Sequence, residues 1–371
     1  MNVLQILPEL NAGGVERTTV EVAEALLSEG HSAHVASNGG RMVKELRDMG
    51  AVLHTLKIGS KNPLLLRRNT KALIDIIKTH NIDIVHARSR APAWPAHTAA
   101  RATGIPFITT YHGIYNAKTP LKRRYNAIMA QGDMIIANSE YTKAHIISEH
   151  GVDPDIIKTI PRGVDITTFD PEKITPSQIK AFRDMWQVSD TETALVLPGR
   201  LTRWKGQAVA IQAMVDIPQN VILILMGDAQ GRTKYESELR DLVETLGLTN
   251  RVRFVDHCTD MPSALMAANI VLSASTDPEA FGRISAEAQA MGRPVVATAH
   301  GGTLETVLDG VTGFHIQPGD AVSLAEGVKR ALDWPEYDAK VTRWRIVERF
   351  SKSRLQSETL EVYDRVYDLT T

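Results

Sequence analysis

Leu195-Val196-Leu197-Pro198-Gly199-Arg200-Leu201-Thr202-Arg203-Trp204-Lys205-Gly206 is an apolar run that ends at a proline and a glycine, turns through a basic loop and enters a helical stretch. An apolar run of this length, closed by turn residues and followed by an amphipathic segment, is one strand-to-helix unit of a parallel sheet covered on both faces. The unit recurs after residue 190: Val221–Met226, Val252–Val255, Ile270–Ser273 and Val295–Thr298 are further candidate strands. Helices are expected between them at about 205–215, 233–246, 261–267, 282–291 and 302–308. The same alternation fills the first part of the chain. Val3–Leu7, Ala33–Ala36, Val52–Leu56, Ile84–Val85, Phe107–Thr110 and Met134–Ala137 read as strands, and Val15–Glu29 and Asn69–Thr79 have helical spacing. The expected fold is α/β, with two doubly wound, Rossmann-like domains facing one another across a cleft, where ligands bind beyond the strand C-termini.

The stretch 163–190 mixes turn residues (Gly163, Asp165, Asp170–Pro171, Pro176) with a helical patch around Phe182–Trp186. It sets the expected division into domains 1–165 and 166–350. From about Ser351 a final helix, residues 351–371, carries Leu355, Leu360, Val362 and Val366 among polar residues.

The 371 residues are 43% hydrophobic and 23% charged, with a net charge of -1. That composition suits a globular chain and gives no general pull toward nucleic acid, so no nucleic-acid partner is expected. Residues 1–170 hold 20 Lys and Arg against 16 Asp and Glu, and the remainder holds 22 against 27. A mildly basic first half fits an anionic partner or membrane surface as well as it fits random scatter. Cys258 is the one cysteine, which excludes an internal disulfide. No apolar run approaches the roughly 18–20 residues of a membrane span. Met1–Leu10 lacks a basic leader and is interrupted by Pro8 and Glu9, so it reads as a first strand, and the expected location is cytoplasmic.

Four motifs stand at strand ends. Asn11-Ala12-Gly13-Gly14-Val15-Glu16 opens a helix directly after the first strand, where paired glycines let backbone N–H groups approach an anionic ligand. The opening stretch brings Arg200 and Lys205 into one loop, a pair suited to a diphosphate whose charge grows as it leaves. In Asp277-Pro278-Glu279-Ala280-Phe281-Gly282-Arg283-Ile284-Ser285-Ala286-Glu287-Ala288, Pro278 and Gly282 place Glu279 in a loop and Glu287 more than a turn inside the next helix. Both carboxylates can accept from the hydroxyls of a sugar or ribose. Tyr111-His112-Gly113 puts a histidine at a strand end; Asn138-Ser139 and Arg162-Gly163-Val164-Asp165 hold similar positions. Taken one at a time, these motifs also read as tight turns, solvated charges or a capping histidine. No His-Glu-x-x-His, paired Cys-x-x-Cys or strand-end Asp-x-Asp occurs, so no metal is expected.

Together the pieces resemble the family 4 retaining glycosyltransferases (glycosyl transferases group 1), which have the GT-B fold. The matching runs are Gly13-Gly14-Val15-Glu16, Ala137-Asn138-Ser139, Ile160-Pro161-Arg162-Gly163-Val164-Asp165, Gly199-Arg200 with Lys205-Gly206, Met226-Gly227-Asp228, Glu279-Ala280-Phe281-Gly282, Glu287-Ala288, Gly292 to Thr298, and Gly301-Gly302 with Glu305. The resemblance covers nearly the whole chain. It implies transfer of a hexose-type sugar from a nucleoside-diphosphate sugar, UDP favoured over GDP, with no bound cofactor. The implied acceptor is a lipid-linked or cell-envelope saccharide or glycolipid. The implied catalytic residues are His112, Arg200, Lys205 and Glu279. Donor contacts fall on Gly13, Gly14, Asn138, Arg162, Gly199, Asp228, Ala280, Phe281, Gly282 and Glu287, with Glu287 on the ribose. The final helix is expected to return to the first domain.

Three places depart from the family pattern. Arg162 stands where Asn is common, Asp256-His257-Cys258 where a glycine often follows the strand, and Arg283 and Ser285 follow Gly282. Lys118, Lys122, Arg123 and Arg124, interleaved with Tyr115, Leu121 and Tyr125, form a basic segment suited either to an anionic membrane surface or to a solvated helix face. Two other classes share the fold signals: a nucleotide-sugar isomerase, and a binding subunit without activity. The joint presence of His112, Arg200, Lys205, Glu279 and Glu287 argues against the second.

Overall fold

The computed structural model describes residues 1–11, 13–115 and 119–368. It divides into two compact units: Met1–Gly163 with the segment from Lys352 onward, and Val164–Ser351. The division falls two residues before the expected one. The helix Lys352–Asp368 is part of the first unit.

The first unit is built on seven strands: β1 (Asn2–Ile6), β2 (Ser32–Ser37), β3 (Val52–Thr55), β4 (Ile84–Ala87), β5 (Phe107–Tyr111), β6 (Met134–Ala137) and β7 (Ile157–Thr159). Their order is β3-β2-β1-β4-β5-β6-β7 and every pair is parallel. The chain starts at the centre and winds outward both ways, so Val3 pairs with Ala33 on one side and Ile84 on the other. Successive side chains enter opposite faces. Val3 joins Val22, Leu26, Leu355 and Val362 beneath the first and last helices. Leu4 joins Leu73, Ala96 and Phe107 on the other face.

The second unit repeats the scheme with β8 (Thr193–Pro198), β9 (Val221–Met226), β10 (Val252–Val255), β11 (Ile270–Ser273), β12 (Val295–Thr298) and β13 (Gly313–Ile316), ordered β10-β9-β8-β11-β12-β13. Val196 and Ile224 pack on one face, Leu195 and Leu223 on the other. Burial on both faces is why these strands read as continuous apolar runs.

Strands β7 and β13 are not among the sequence candidates. Both are sheet edges. Each is short and carries polar residues, Lys158 in one and His315 in the other, because an edge strand is covered less completely.

The last helix is tied to the first sheet by a buried polar chain. Tyr363 is fully buried, its hydroxyl 2.6 Å from His86 Nδ1, and His86 Nε2 is 2.6 Å from Thr110 Oγ1. Arg88 donates through Nε to Gln5 Oε1 at 2.7 Å and also bonds the Tyr363 hydroxyl. Burial first, then the Arg88 cation, holds His86 neutral, well below the ordinary histidine range. A neutral ring with one donor and one acceptor nitrogen is what this chain requires. The Tyr363→Phe variant strands His86 Nδ1 and one Arg88 donor inside the protein, so its stability is expected to fall by about 1–3 kcal/mol. A urea midpoint equal to that of the parent would contradict this role.

Three imidazoles meet elsewhere in the first unit. His34 on β2, His54 on β3 and His80 after the helix Pro63–Thr79 have ring centroids 5.0–5.4 Å apart. His34 Nδ1 lies 3.1 Å from His54 Nε2. Burial, then His54 and His80, lowers His34 from 6.5 to about 4. Between those values the unfolded chain binds the proton that the folded chain refuses, so stability falls as pH drops below 6.5 and is fully present above it. The urea midpoint is expected to be lower at pH 5 than at pH 7.5, and the difference to shrink in His34→Asn. An unchanged difference in that variant would remove His34 as the cause.

Candidate functional site

The polar motifs collect at the carboxyl ends of the parallel strands, separately in each unit. In the first unit Gly13 (φ +150°) precedes the helix Gly14–Ser28, which begins eight residues after β1. At Gly14 a Cβ would stand 1.4 Å from Arg162 Nη1, so the guanidinium rests against the Gly14 backbone. Arg162, beyond β7, donates through Nη2 to the His112 carbonyl at 3.3 Å and lies 3.4 Å from His112 Nδ1. His112 follows β5. Burial first, then Arg162, Arg88 and His86, holds its imidazole well below the ordinary histidine range, so the ring is neutral.

Asn138 follows β6 and is buried. Its Oδ1 accepts from Thr142 Oγ1 at 3.0 Å, while Ser139 caps the helix Glu140–His150. Arg88, His112, Asn138 and Arg162 line one cavity of about 10 Å³, room for one water molecule, closed on one side by Leu355 and Thr359.

In the second unit Lys205 donates to Glu279 Oε1 at 2.6 Å, and Ser275 Oγ donates to the same oxygen at 2.5 Å. Both partners of the ion pair are largely enclosed, with 17% and 14% of their side-chain surface exposed. The Lys205 ammonium sits 4.4 Å from the centre of the Trp204 ring, and its stem runs beside Gly199. The loops around this pair touch backbone to backbone. A Cβ on Gly206 (φ +77°) would be 1.9 Å from the Ala274 carbonyl, and one on Gly301 (φ +65°) 2.3 Å from the Glu279 carbonyl. Gly302 N–H donates to that same Glu279 carbonyl at 2.7 Å.

Glu279 lies in the loop before the helix Arg283–Ala290 and Glu287 one turn inside it, the placement that their spacing predicts. Gly282 (φ +81°) stands at that helix's N-terminus. Glu287 is buried and accepts from Arg283 Nε at 2.7 Å; burial raises its pKa and Arg283 opposes the rise. Phe281 is 3% exposed and packs edge-on against Phe350, so its ring belongs to the core. Arg200 is exposed. The Asp228 carbonyl accepts from Leu201 N–H at 3.0 Å, tying the loops after β8 and β9 together.

Two sets therefore emerge from the residues singled out in the sequence: Gly14, His112, Asn138 and Arg162 in the first unit, and Gly199, Lys205 and Glu279 in the second. Sequence reading missed Ser275, Trp204, Arg88 and the engagement of Glu287 by Arg283. The spacing of four between Arg283 and Glu287 is the signal that would have found the last. Of the basic segment, Lys118 lies outside the described residues. Arg123 bonds the Glu149 carbonyl and pairs with its carboxylate at 3.0 Å, while Lys122, Arg124 and Leu121 are exposed, Leu121 to 81%.

In the second unit a cation past the end of a buried strand, a carboxylate 2.6 Å from it and close glycine turns on both sides stand at the carboxyl ends of the strands, where doubly wound sheets bind their ligands. Residues 12–168 match the model for Glycosyltransferase Family 4, and residues 178–343 that for Glycosyl transferases group 1. A glycosyltransferase from Rickettsia africae is 34% identical, with a TM-score of 0.91 and 98% of both chains covered. HepE of Anabaena, solved in complex with UDP-glucose, is 26% identical with a TM-score of 0.85, covering 98% of this chain and 100% of that one. A D-inositol 3-phosphate glycosyltransferase of Xylanimonas cellulosilytica is 29% identical over 66% of this chain, a match that spans 62% of that relative's length. This chain belongs to the family 4, group 1 glycosyltransferases, and its fold is GT-B.

In Gly301→Ala the added methyl cannot fit beside the Glu279 carbonyl and the backbone is held at positive φ. Stability is expected to fall by about 1–3 kcal/mol, with the far-UV spectrum unchanged. A urea midpoint equal to that of the parent would show that the loop accepts the methyl without cost.

Proposed function

We propose that this chain is a retaining glycosyltransferase that moves a hexose from a UDP-sugar, preferred over a GDP-sugar, to a lipid-linked or cell-envelope saccharide. The observation that carries the proposal is the Lys205–Glu279 contact of 2.6 Å beside the glycine turns at Gly206 and Gly301. The second unit, with Arg200, Lys205, Gly199, Asp228, Glu279, Ala280–Gly282 and Glu287, is the donor side of this proposal. The first unit is its acceptor side, and in this proposal it adds donor contacts from Gly13, Gly14, Asn138 and Arg162, with His112 at the donor sugar. The complex of HepE with UDP-glucose supports a UDP donor.

The chemistry follows from charge. As the bond from C1 to the diphosphate oxygen lengthens, negative charge grows on the leaving group. Lys205 and Arg200 stabilise that charge more than they stabilise the ground state. Glu279 holds the ammonium in place before the donor arrives and accepts from sugar hydroxyls afterwards. The acceptor hydroxyl attacks C1 from the leaving-group face, and its proton goes to the departing phosphate oxygen. The anomeric configuration is kept without a carboxylate nucleophile.

A peripheral position on the cytoplasmic face of the membrane completes the proposal. Lys122 and Arg124 are exposed beside Leu121, and no helix among the described residues is long and apolar enough to cross a bilayer.

Lys205→Ala is expected to lower turnover at saturating donor by about 100-fold or more, the scale for losing one preorganised charge partner. Unchanged turnover would remove Lys205 from the leaving-group role. For the membrane position, sedimentation with vesicles rich in anionic lipid is expected at low salt and not at high salt. Protein remaining in the supernatant at low salt would end that part of the proposal.

A further inference from the structure

We infer that Arg162 is a positioning residue that fixes His112 in the tautomer carrying its proton on Nε2, so that His112 meets its substrate as a hydrogen-bond donor and not as a base. The inference rests on the reading that His112 stands beside the reacting sugar.

A guanidinium has donors and no lone pair to accept with. Arg162 Nη2 lies 3.3 Å from the His112 carbonyl oxygen and 3.4 Å from His112 Nδ1. At both atoms Arg162 is therefore the donor, and Nδ1 must present its lone pair. Burial and the two nearby cations keep the ring neutral. A neutral ring with its lone pair on Nδ1 carries its one proton on Nε2.

That Nε2 is enclosed and has no hydrogen-bond partner among the described residues. Two other groups lining the same cavity, Arg88 through Nη2 and Asn138 through Nδ2, also hold enclosed N–H groups with no partner there. All three are donors. Enclosed donors without acceptors are costly, and a single oxygen in the cavity, a water molecule's or a substrate hydroxyl's, relieves that cost.

Gly14 is the other half of the device. Its missing side chain is the space that the guanidinium occupies, since a Cβ would stand 1.4 Å from Nη1. The Asn common at this turn in the family has neither the reach nor the permanent charge of Arg162.

The consequence bears on the reaction itself. With Nε2 protonated, His112 has no lone pair there for the acceptor's proton. The acceptor oxygen forms its bond to C1, the bond from C1 to the diphosphate oxygen breaks, and the proton passes to that departing oxygen.

Nitrogen NMR on protein labelled at histidine is the test, with the His112 signals assigned by their loss in His112→Gln. The parent protein is expected to show an unprotonated Nδ1 and a protonated Nε2 at neutral pH. In Arg162→Met, and in Gly14→Ala, which displaces the guanidinium, the ring is expected to drift to a mixture of tautomers. A proton on Nδ1 in the parent, or the parent spectrum in Arg162→Met, overturns the inference. Should Arg162→Met fail to fold, the parent spectrum decides alone. A kinetic cycle gives a second reading: Arg162→Met is expected to lower kcat about tenfold in the parent and not in the His112→Gln background. Equal losses in both would assign Arg162 a purely structural role. A protein with the expected spectrum that consumes no nucleotide sugar would defeat the proposed function and leave the tautomer assignment standing.

Discussion

A parallel sheet buried on both faces admits polar side chains within its strands only where they find buried partners, as Gln5, His86 and Thr110 do, and leaves the ends of its strands as the place where the others gather. The apolar side chains within β1 and β8 are committed to the two apolar layers, alternating face by face. The chain meets solvent where a strand stops and turns toward its covering helix. His112, Asn138 and Arg162 stand just past β5, β6 and β7, and Lys205 and Glu279 just past β8 and β11. In each unit the gathering of these groups is thus a consequence of the topology before it is a matter of chemistry.

Gathering several loops at one edge forces backbones together, and the glycines show where. Gly206 touches the Ala274 carbonyl, Gly227 the Gly199 carbonyl and Gly301 the Glu279 carbonyl, each at a distance no side chain tolerates. Those contacts position the ammonium of Lys205 against the carboxylate of Glu279 within a largely enclosed space. An ion pair removed from water is worth little as a stabiliser, because desolvation offsets the attraction. On the proposed function it is preorganisation: the charge that a diphosphate would need is already in place, at a cost met during folding.

The sheets were legible because buried parallel strands are nearly pure Val, Ile, Leu and Ala. The edge strands β7 and β13 were not, since Lys158 and His315 break the apolar run where one side of the sheet lies open. Within the site, the loop position of Glu279 and the helical position of Glu287 followed from Pro278, Gly282 and the helical repeat. What the spacing could not give is contact over distance. Arg162 reaches a histidine 50 residues earlier and a glycine further back still, and Ser275 reaches Glu279 only because of the turn between them. Nothing in a linear pattern marks such pairs. The family resemblance supplied roles for single residues, and the departures from it, Arg162 and Arg283, turned out to contact the residues whose roles were assigned.

The central claim is that the enzyme opens the bond between a hexose and a nucleoside diphosphate. Its most direct test offers the protein a panel of UDP-, GDP- and ADP-sugars, with and without a crude envelope saccharide fraction, and measures the nucleoside diphosphate released. The account predicts release of UDP from a UDP-hexose, faster with the fraction present. No nucleoside diphosphate released from any member of the panel under either condition would contradict it.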